Sequence, residues 1–217
     1  MMRTGLDELL KELELELIHM GEACTLAIEK VTKSLKNGDL KQAKKVREAD
    51  EVIDGMEKDI ENLCLKILLE QQPVAKDLRQ VSAALKMVTD MERIGDQTAD
   101  IAEIIISENI SEQVEIDTIN KMATAAKKMV RDSIKAYVNQ DLSLAVRVIE
   151  ADDEVDLLFV ENKKDLIALL LQNNGRNGER ALDLIMIAKY LERIADHATN
   201  IAEWVEYSIT GIHKKGN

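Results

Sequence analysis

Carboxylates four residues apart on a helix share one face and lie close enough together to grip a single hard cation. This 217-residue chain places them so repeatedly. Asp50, Asp54, Glu57 and Glu61 follow the spacing i, i+4, i+7, i+11. Glu92, Asp96 and Asp100 follow i, i+4, i+8 within MERIGDQTADIAE, residues 91–103. One hundred positions later, residues 191–203 read LERIADHATNIAE, identical at seven of thirteen places, with Glu192 and Asp196 in the same register. Asp152 and Asp156 repeat Asp50 and Asp54 at an offset of 152 − 50 = 102.

The chemistry depends on where these acids point. On a helical wheel, Glu92, Asp96, Asp100 and Glu103 fall within about 80° of one another, on the line that carries Leu78, Leu85 and Val88 a few turns earlier. Asp50, Asp54, Glu57 and Glu61 span about 60° and share their sector with Val46, Cys64 and Leu68. The acids therefore border the apolar face. Arg79, Lys86, Arg93 and Gln97 lie about 100–140° around the third helix, on its expected wet side.

Like charges at i, i+4 repel by a few tenths of a kcal/mol when exposed, and by more in a partly buried seam. Protonation, an inward-reaching Lys or Arg, or a bound cation would relieve them. No basic residue shares the acidic sector, so a cation is the favoured reading, and oxygen ligands suit a divalent or trivalent ion such as Mg, Ca, Mn, Fe or Zn. The competing reading is a plain solvated acidic face. Two copies of the pattern, two helices per copy and a line shared with the core stand against it.

Long helices must hold these residues. Breakers are sparse, one Pro and nine Gly. The proline and three of the glycines fall, with Asn, Gln and Asp, among the breaks at residues 37–39, 71–73, 109–111, 139–141 and 173–178. Five breaks predict six helices near residues 4–36, 40–70, 74–108, 112–138, 142–171 and 178–211. Asn37, Asp39, Leu40, Ala43 and Val46 recur as Asn139, Asp141, Leu142, Ala145 and Val148. The chain is thus a duplication. The expected fold is all-α, two tandem pseudo-symmetric three-helix bundles of antiparallel helices, residues 1–109 and 110–217.

Composition narrows the function classes. Hydrophobic residues make up 46% and aromatic residues 2%, so the core must be aliphatic, as suits helix packing. A net charge of −12 repels, on average, nucleic acid and anionic lipid. The basic tail His213-Lys214-Lys215 is too short to change that. Cys24 and Cys64 lie in apolar helical surroundings and are expected as reduced core thiols. Met1–Leu10 already carries Asp7 and Glu8, unlike a secretory leader, and the apolar run Leu166–Leu171 is too short to span a membrane. A cytoplasmic protein with no direct membrane insertion is expected. Glu16 and His19 make a single Glu-x-x-His, where a di-iron bundle needs two. His197 projects off the acid line, as a surface residue or a support behind the acids. No phosphate loop, nucleophile elbow or zinc signature occurs, so an enzyme is not expected. A metal-dependent oxidase or phosphohydrolase is the alternative, to be separated by assaying turnover.

The two ERI-[GA]-D phrases, EADEVIDGME upstream and PVAKDLR at residues 73–79 together resemble the PhoU family, accessory proteins of the phosphate-specific transport system. The resemblance spans essentially the whole chain. It implies a homodimeric negative regulator of phosphate uptake and of the phosphate-starvation response. Its implied partners are the ATP-binding subunit of the phosphate ABC transporter and the phosphate sensor histidine kinase. It also implies metal binding through Glu/Asp-x-x-x-Asp motifs, here Asp50 and Asp54, Glu92, Asp96 and Asp100, then Asp152 and Asp156, Glu192 and Asp196. Glu57 and Glu61 correspond to Phe159 and Lys163, and Asp100 to Asn200, so the second site is expected to be the weaker. Arg79, Lys86 and Arg93 are the candidate partner contacts.

Overall fold

Helix ends are set by the breakers. Gly38 takes the left-handed conformation (φ 66°), and the Asp39 N–H closes the end of the first helix onto the Ser34 carbonyl at 3.0 Å. Asp39 then caps the next helix, its Oδ1 accepting the Gln42 N–H at 3.0 Å. The second half repeats the device. Gln140 is left-handed, the Asp141 N–H reaches the Ala136 carbonyl at 2.9 Å, and Asp141 Oδ1 accepts from the Leu144 N–H at 2.9 Å.

The computed structural model describes residues 2–110, 116–171 and 178–212; the basic tail and most of the linker after Leu171 lie outside the described residues. Its helices are α1 (Met2–Asn37), α2 (Leu40–Lys66), α3 (Lys76–Ser107), α4 (Asp117–Asn139), α5 (Leu142–Glu150), α6 (Asp152–Leu171) and α7 (Gly178–Thr210). No strand occurs among the described residues. α2 runs on through a π-helical turn, Ile67–Gln71, before left-handed Gln72 and Pro73 end it.

The fifth expected helix is two, interrupted at Ala151. The Ala151 N–H is shared between the Arg147 and Val148 carbonyls, a tightened last turn. Asp152, Asp153 and Glu154 then open α6, where acids are favoured by the exposed N–H groups.

α1, α2 and α3 pack on one another, and α4 packs with α5, α6 and α7 in the same way. The halves join through α1 against α4 and, most extensively, α3 against α7. Side-chain pairs fix the directions. Asp90 meets His197 and Asn200, and Asp100 meets Tyr190, so α3 and α7 are antiparallel. Asp90 and Asp100 occupy the repeat positions of Tyr190 and Asn200, so these two contacts are mates across a pseudo-twofold axis.

The core is one contiguous cluster of Leu, Ile, Val, Ala and Met drawn from both halves. Cys24 and Cys64 are buried, unpaired thiols, and burial pushes both pKa values up to about 12. Neither is a reactive thiolate at neutral pH. Tyr137 is fully buried and its hydroxyl donates to the Gln80 carbonyl at 3.0 Å, tying α4 to α3. Tyr137→Phe is expected to cost about 1 kcal/mol in urea denaturation, the net value of one such bond.

Candidate metal centre

α2 and α3 are antiparallel and bring their acidic lines together. Asp50 and Asp54 come from α2 and Asp96 from α3. Each offers a carboxylate oxygen, and the three oxygens lie within 4.8 Å of one another. All three residues are partly buried. Asp50 Oδ1 and Asp54 Oδ1 are shielded from solvent and have no hydrogen-bond partner; Glu92 Oε2, shielded likewise, has no hydrogen bond but pairs with the Arg93 Nε at 3.4 Å. Buried carboxylate oxygens without a donor are costly, and a cation among them is the species whose charge and coordination they match. The donor set fits a hard or borderline ion.

The acids perturb each other as crowding requires. Burial, and then Asp54, Asp96, Glu92 and Asp100, push Asp50 from 3.8 up to about 6. Burial is also the leading cause for Glu57 and Glu92, each raised further by acids across the α2–α3 seam. Asp100 is raised by burial and by Asp96, and the Tyr190 hydroxyl that donates to it opposes the rise.

Gly95 makes the close approach possible. A Cβ there would lie 2.8 Å from Asp50 Oδ1 and 3.0 Å from Ile53 Cγ2. The corresponding residue of the second half is Ala195.

In that half Asp152, Asp156, Glu192 and Asp196 also face one another. Burial, then Glu192 and Asp152, push Asp196 up to about 6, with Lys189 opposing. Asp152 is raised by burial and by Asp156, and the nearby Thr199 hydroxyl opposes the rise. Yet Asp50, Asp54 and Asp96 are the one trio among the described residues whose ligand atoms approach within 4.8 Å. Phe159, standing where the first half has Glu57, lies beneath the Lys189 ammonium at 5.5 Å from its ring centre. A divalent-ion titration is therefore expected to fill the first seam at concentrations at least about tenfold below the second, one charged ligand being worth that much in affinity. Isothermal titration of Asp54→Asn and Asp156→Asn variants reads the two separately.

The expectation that no basic residue shares the acidic sector needs correction: Arg93, though exposed as expected, donates from Nη1 to Asp96 Oδ2 at 2.8 Å and holds its Nε 3.4 Å from Glu92 Oε2. Lys189 likewise pairs with Glu192. A wheel fixes where a side chain starts, whereas long cationic stems bend back along the helix to reach acids three residues away. Arg79 is half-buried rather than exposed, its side chain 3.6 Å from the Cβ position of Gly211. Lys86 is exposed.

His197, off its own helix's acid line, finds its partner on another helix. Across the α3–α7 interface its Nδ1 lies 2.9 Å from Asp90 Oδ1, and the Asn200 amide donates to the same oxygen at 3.1 Å. Nothing in the repeat's periodicity signals a partner on another helix. His19 is half-exposed, 3.9 Å from Glu16.

Comparison with known proteins puts the chain in context. A family profile described as the PhoU domain matches twice, at residues 17–105 and 119–205. A phosphate-specific transport system accessory protein PhoU homolog from Clostridium acetobutylicum is 36% identical over 204 residues, 93% of each chain. The homolog of the same name from Aquifex aeolicus is 38% identical over 186 residues, 85% of this chain and 83% of its own. The crystal structure of PhoU from Pseudomonas aeruginosa superposes with a TM-score of 0.88 at 31% identity, covering 95% of this chain and 99% of that one. That of the phosphate transport system regulatory protein PhoU from Streptococcus pneumoniae gives 0.87 at 26% identity, covering 97% and 99%.

Proposed function

The chain belongs to the PhoU family, and on that premise we propose that it is a cytoplasmic, non-enzymatic regulator that restrains phosphate uptake and phosphate-starvation signalling when phosphate is plentiful. It would act by docking on the ATP-binding subunit of the phosphate ABC transporter and on the phosphate sensor kinase, as a homodimer. The observation that carries this reading is the match over nearly the full length of relatives named for that transport system. No described helix is long and apolar enough to cross a membrane. The alternative, a metal-dependent oxidase or phosphohydrolase, would use the ion itself to activate water or oxygen, and is separated by assaying the metal-loaded chain for turnover.

The metal centre belongs to the same proposal. Asp50, Asp54 and Asp96, with Glu57, Glu92 and Asp100 around them, would hold one or more ions in the α2–α3 seam. Asp152, Asp156, Glu192 and Asp196 would hold a weaker site. A bound cation supplies the positive charge that lets α2 and α3 stay closed at neutral pH, fixing the surface those helices present.

The test is deletion of the gene, with phosphate-starvation transcripts measured in phosphate-rich medium. The expected result is starvation genes switched on despite abundant phosphate, and restoration by the wild-type gene. Unchanged transcripts would overturn the regulatory reading. Complementation with Asp50→Asn/Asp54→Asn/Asp96→Asn then asks whether regulation needs the seam.

A further inference from the structure

The average charge of −12 conceals a strong segregation. Residues 30–47 hold Lys30, Lys33, Lys36, Lys41, Lys44, Lys45 and Arg47 against a single acid, Asp39. This stretch is the last two turns of α1, the Gly38 turn and the first two turns of α2. At 1.5 Å per residue, all seven lie within about 14 Å of that turn along the helix axes. Every one of them is exposed.

Neighbouring helices extend the basic corner rather than neutralise it. α1 and α4 are antiparallel, with Lys127 3.1 Å from Glu29, so the start of α4 lies beside the end of α1. Lys33, Lys36 and Lys127 line one groove there with Thr32, Asn120 and Thr124. Lys121 and Lys128 are exposed on the same stretch of α4. The nearby acids are largely engaged. Glu29 pairs with Lys127, Glu103 with Arg47 at 2.7 Å, and the Asp39 carboxylate caps α2. Glu48, Glu51, Glu108 and Asp117 are exposed acids at the margin. Among the described residues, the six lysines from Lys30 to Lys45 have no ion-pair partner.

We propose that this corner is a docking surface for an anionic lipid bilayer, holding the protein against a membrane face without insertion. The chemistry of the corner selects that occupant. Six of its seven cations are lysines, mobile and strongly hydrated, which suit a diffuse layer of lipid phosphates better than the fixed carboxylates of a protein partner. No aromatic residue lies between positions 30 and 47 to anchor a protein interface. The Debye length, about 8 Å in physiological salt, lets a surface touching the Gly38 turn feel the corner ahead of the acidic seam, whose first member, Asp50, lies about 18 Å from that turn along α2.

The experiment is co-sedimentation of the full chain with vesicles of phosphatidylcholine alone or mixed with phosphatidylglycerol. Binding is expected to the mixed vesicles and not to the neutral ones, and to disappear as salt rises to about 0.5 M. Lys33→Glu/Lys36→Glu/Lys41→Glu should lower partition at least tenfold, since each basic residue near the surface contributes about fivefold. Lys66→Glu/Lys163→Glu/Lys164→Glu makes the same change in net charge at exposed positions elsewhere and should bind like wild type. Circular dichroism checks that both variants keep their helices. The proposal is overturned if mixed vesicles do not pull down the wild type, if neutral vesicles pull it down equally, or if the two variants lose binding alike. Retained binding by the corner variant would assign the attraction to another face.

Discussion

Replacing Asp50 with Asn is expected to raise the melting temperature of the chelator-treated protein near neutral pH, and to lower that of the metal-saturated protein relative to wild type. The sign follows from the raised pKa. Asp50 titrates near 3.8 when unfolded and at about 6 in the folded chain. Between those values the folded state holds the proton that the unfolded state has lost, so stability falls as pH rises through this window. Below about pH 4 the penalty is absent, and above about pH 6 it is fully present. Because the carboxylate is only partly buried, solvent screening trims the cost to about 1–2 kcal/mol, or about 4 °C in a chain of this size. Asn, which carries no charge, avoids it. With metal present the ranking inverts. An ion at a hundred times its dissociation constant stabilises the wild type by about 2.7 kcal/mol, and a seam short of one ligand forfeits most of that. Differential scanning fluorimetry between pH 4 and 8, with chelator and with metal, reads both halves of the prediction. A variant less stable than wild type in chelator at pH 7 would mean that Asp50 has a stabilising partner other than an ion.

Gly95→Ala should separate metal affinity from fold stability. Alanine is the better helix former by about 1 kcal/mol. Its methyl, however, lands 2.8 Å from Asp50 Oδ1, and the carboxylate at the end of its short stem must swing out of the cluster. One of three close donors is then misplaced. Affinity for a divalent ion is expected to fall at least about tenfold, the usual scale for disturbing a ligand's position. Stability without metal should change by less than about 1 kcal/mol, because the helical gain offsets the strain on Ile53. Ala195→Gly, at the matching position of the other half, should leave the first seam's affinity untouched. Isothermal titration together with urea denaturation measures both quantities.

The parts of this molecule that periodicity governs could be read from the chain. Asp50, Asp54 and Asp96 border the apolar face because a helix turns 100° per residue, and that alone aims them at the seam. The breaks at Gly38 and Pro73 and the caps at Asp39 and Asp141 carry local signals that need no tertiary context. The break at Ala151 does not: Ala49 stands at the same repeat position inside the unbroken α2. The Arg93–Asp96 and Lys189–Glu192 pairs, three residues apart on one helix, are legible as neighbours by spacing alone. The Asp90–His197 contact depends on α3 lying beside α7, a choice between helices that repeats of one sequence leave open. Gly95 could have been found from the contrast with Ala195, since a glycine in a helix interior costs stability unless something must come close.

The central proposal is that the carboxylates crowded in the α2–α3 seam, which Arg93 neutralises only in part, hold a cation. Its most direct test is metal content: the purified chain is equilibrated with divalent ions, freed of excess, and analysed for metal beside Asp50→Asn/Asp54→Asn/Asp96→Asn. The expected result is at least one tightly held ion per wild-type chain, and fewer by at least one in the variant. Background metal in the wild type, or equal metal in both proteins, would contradict it.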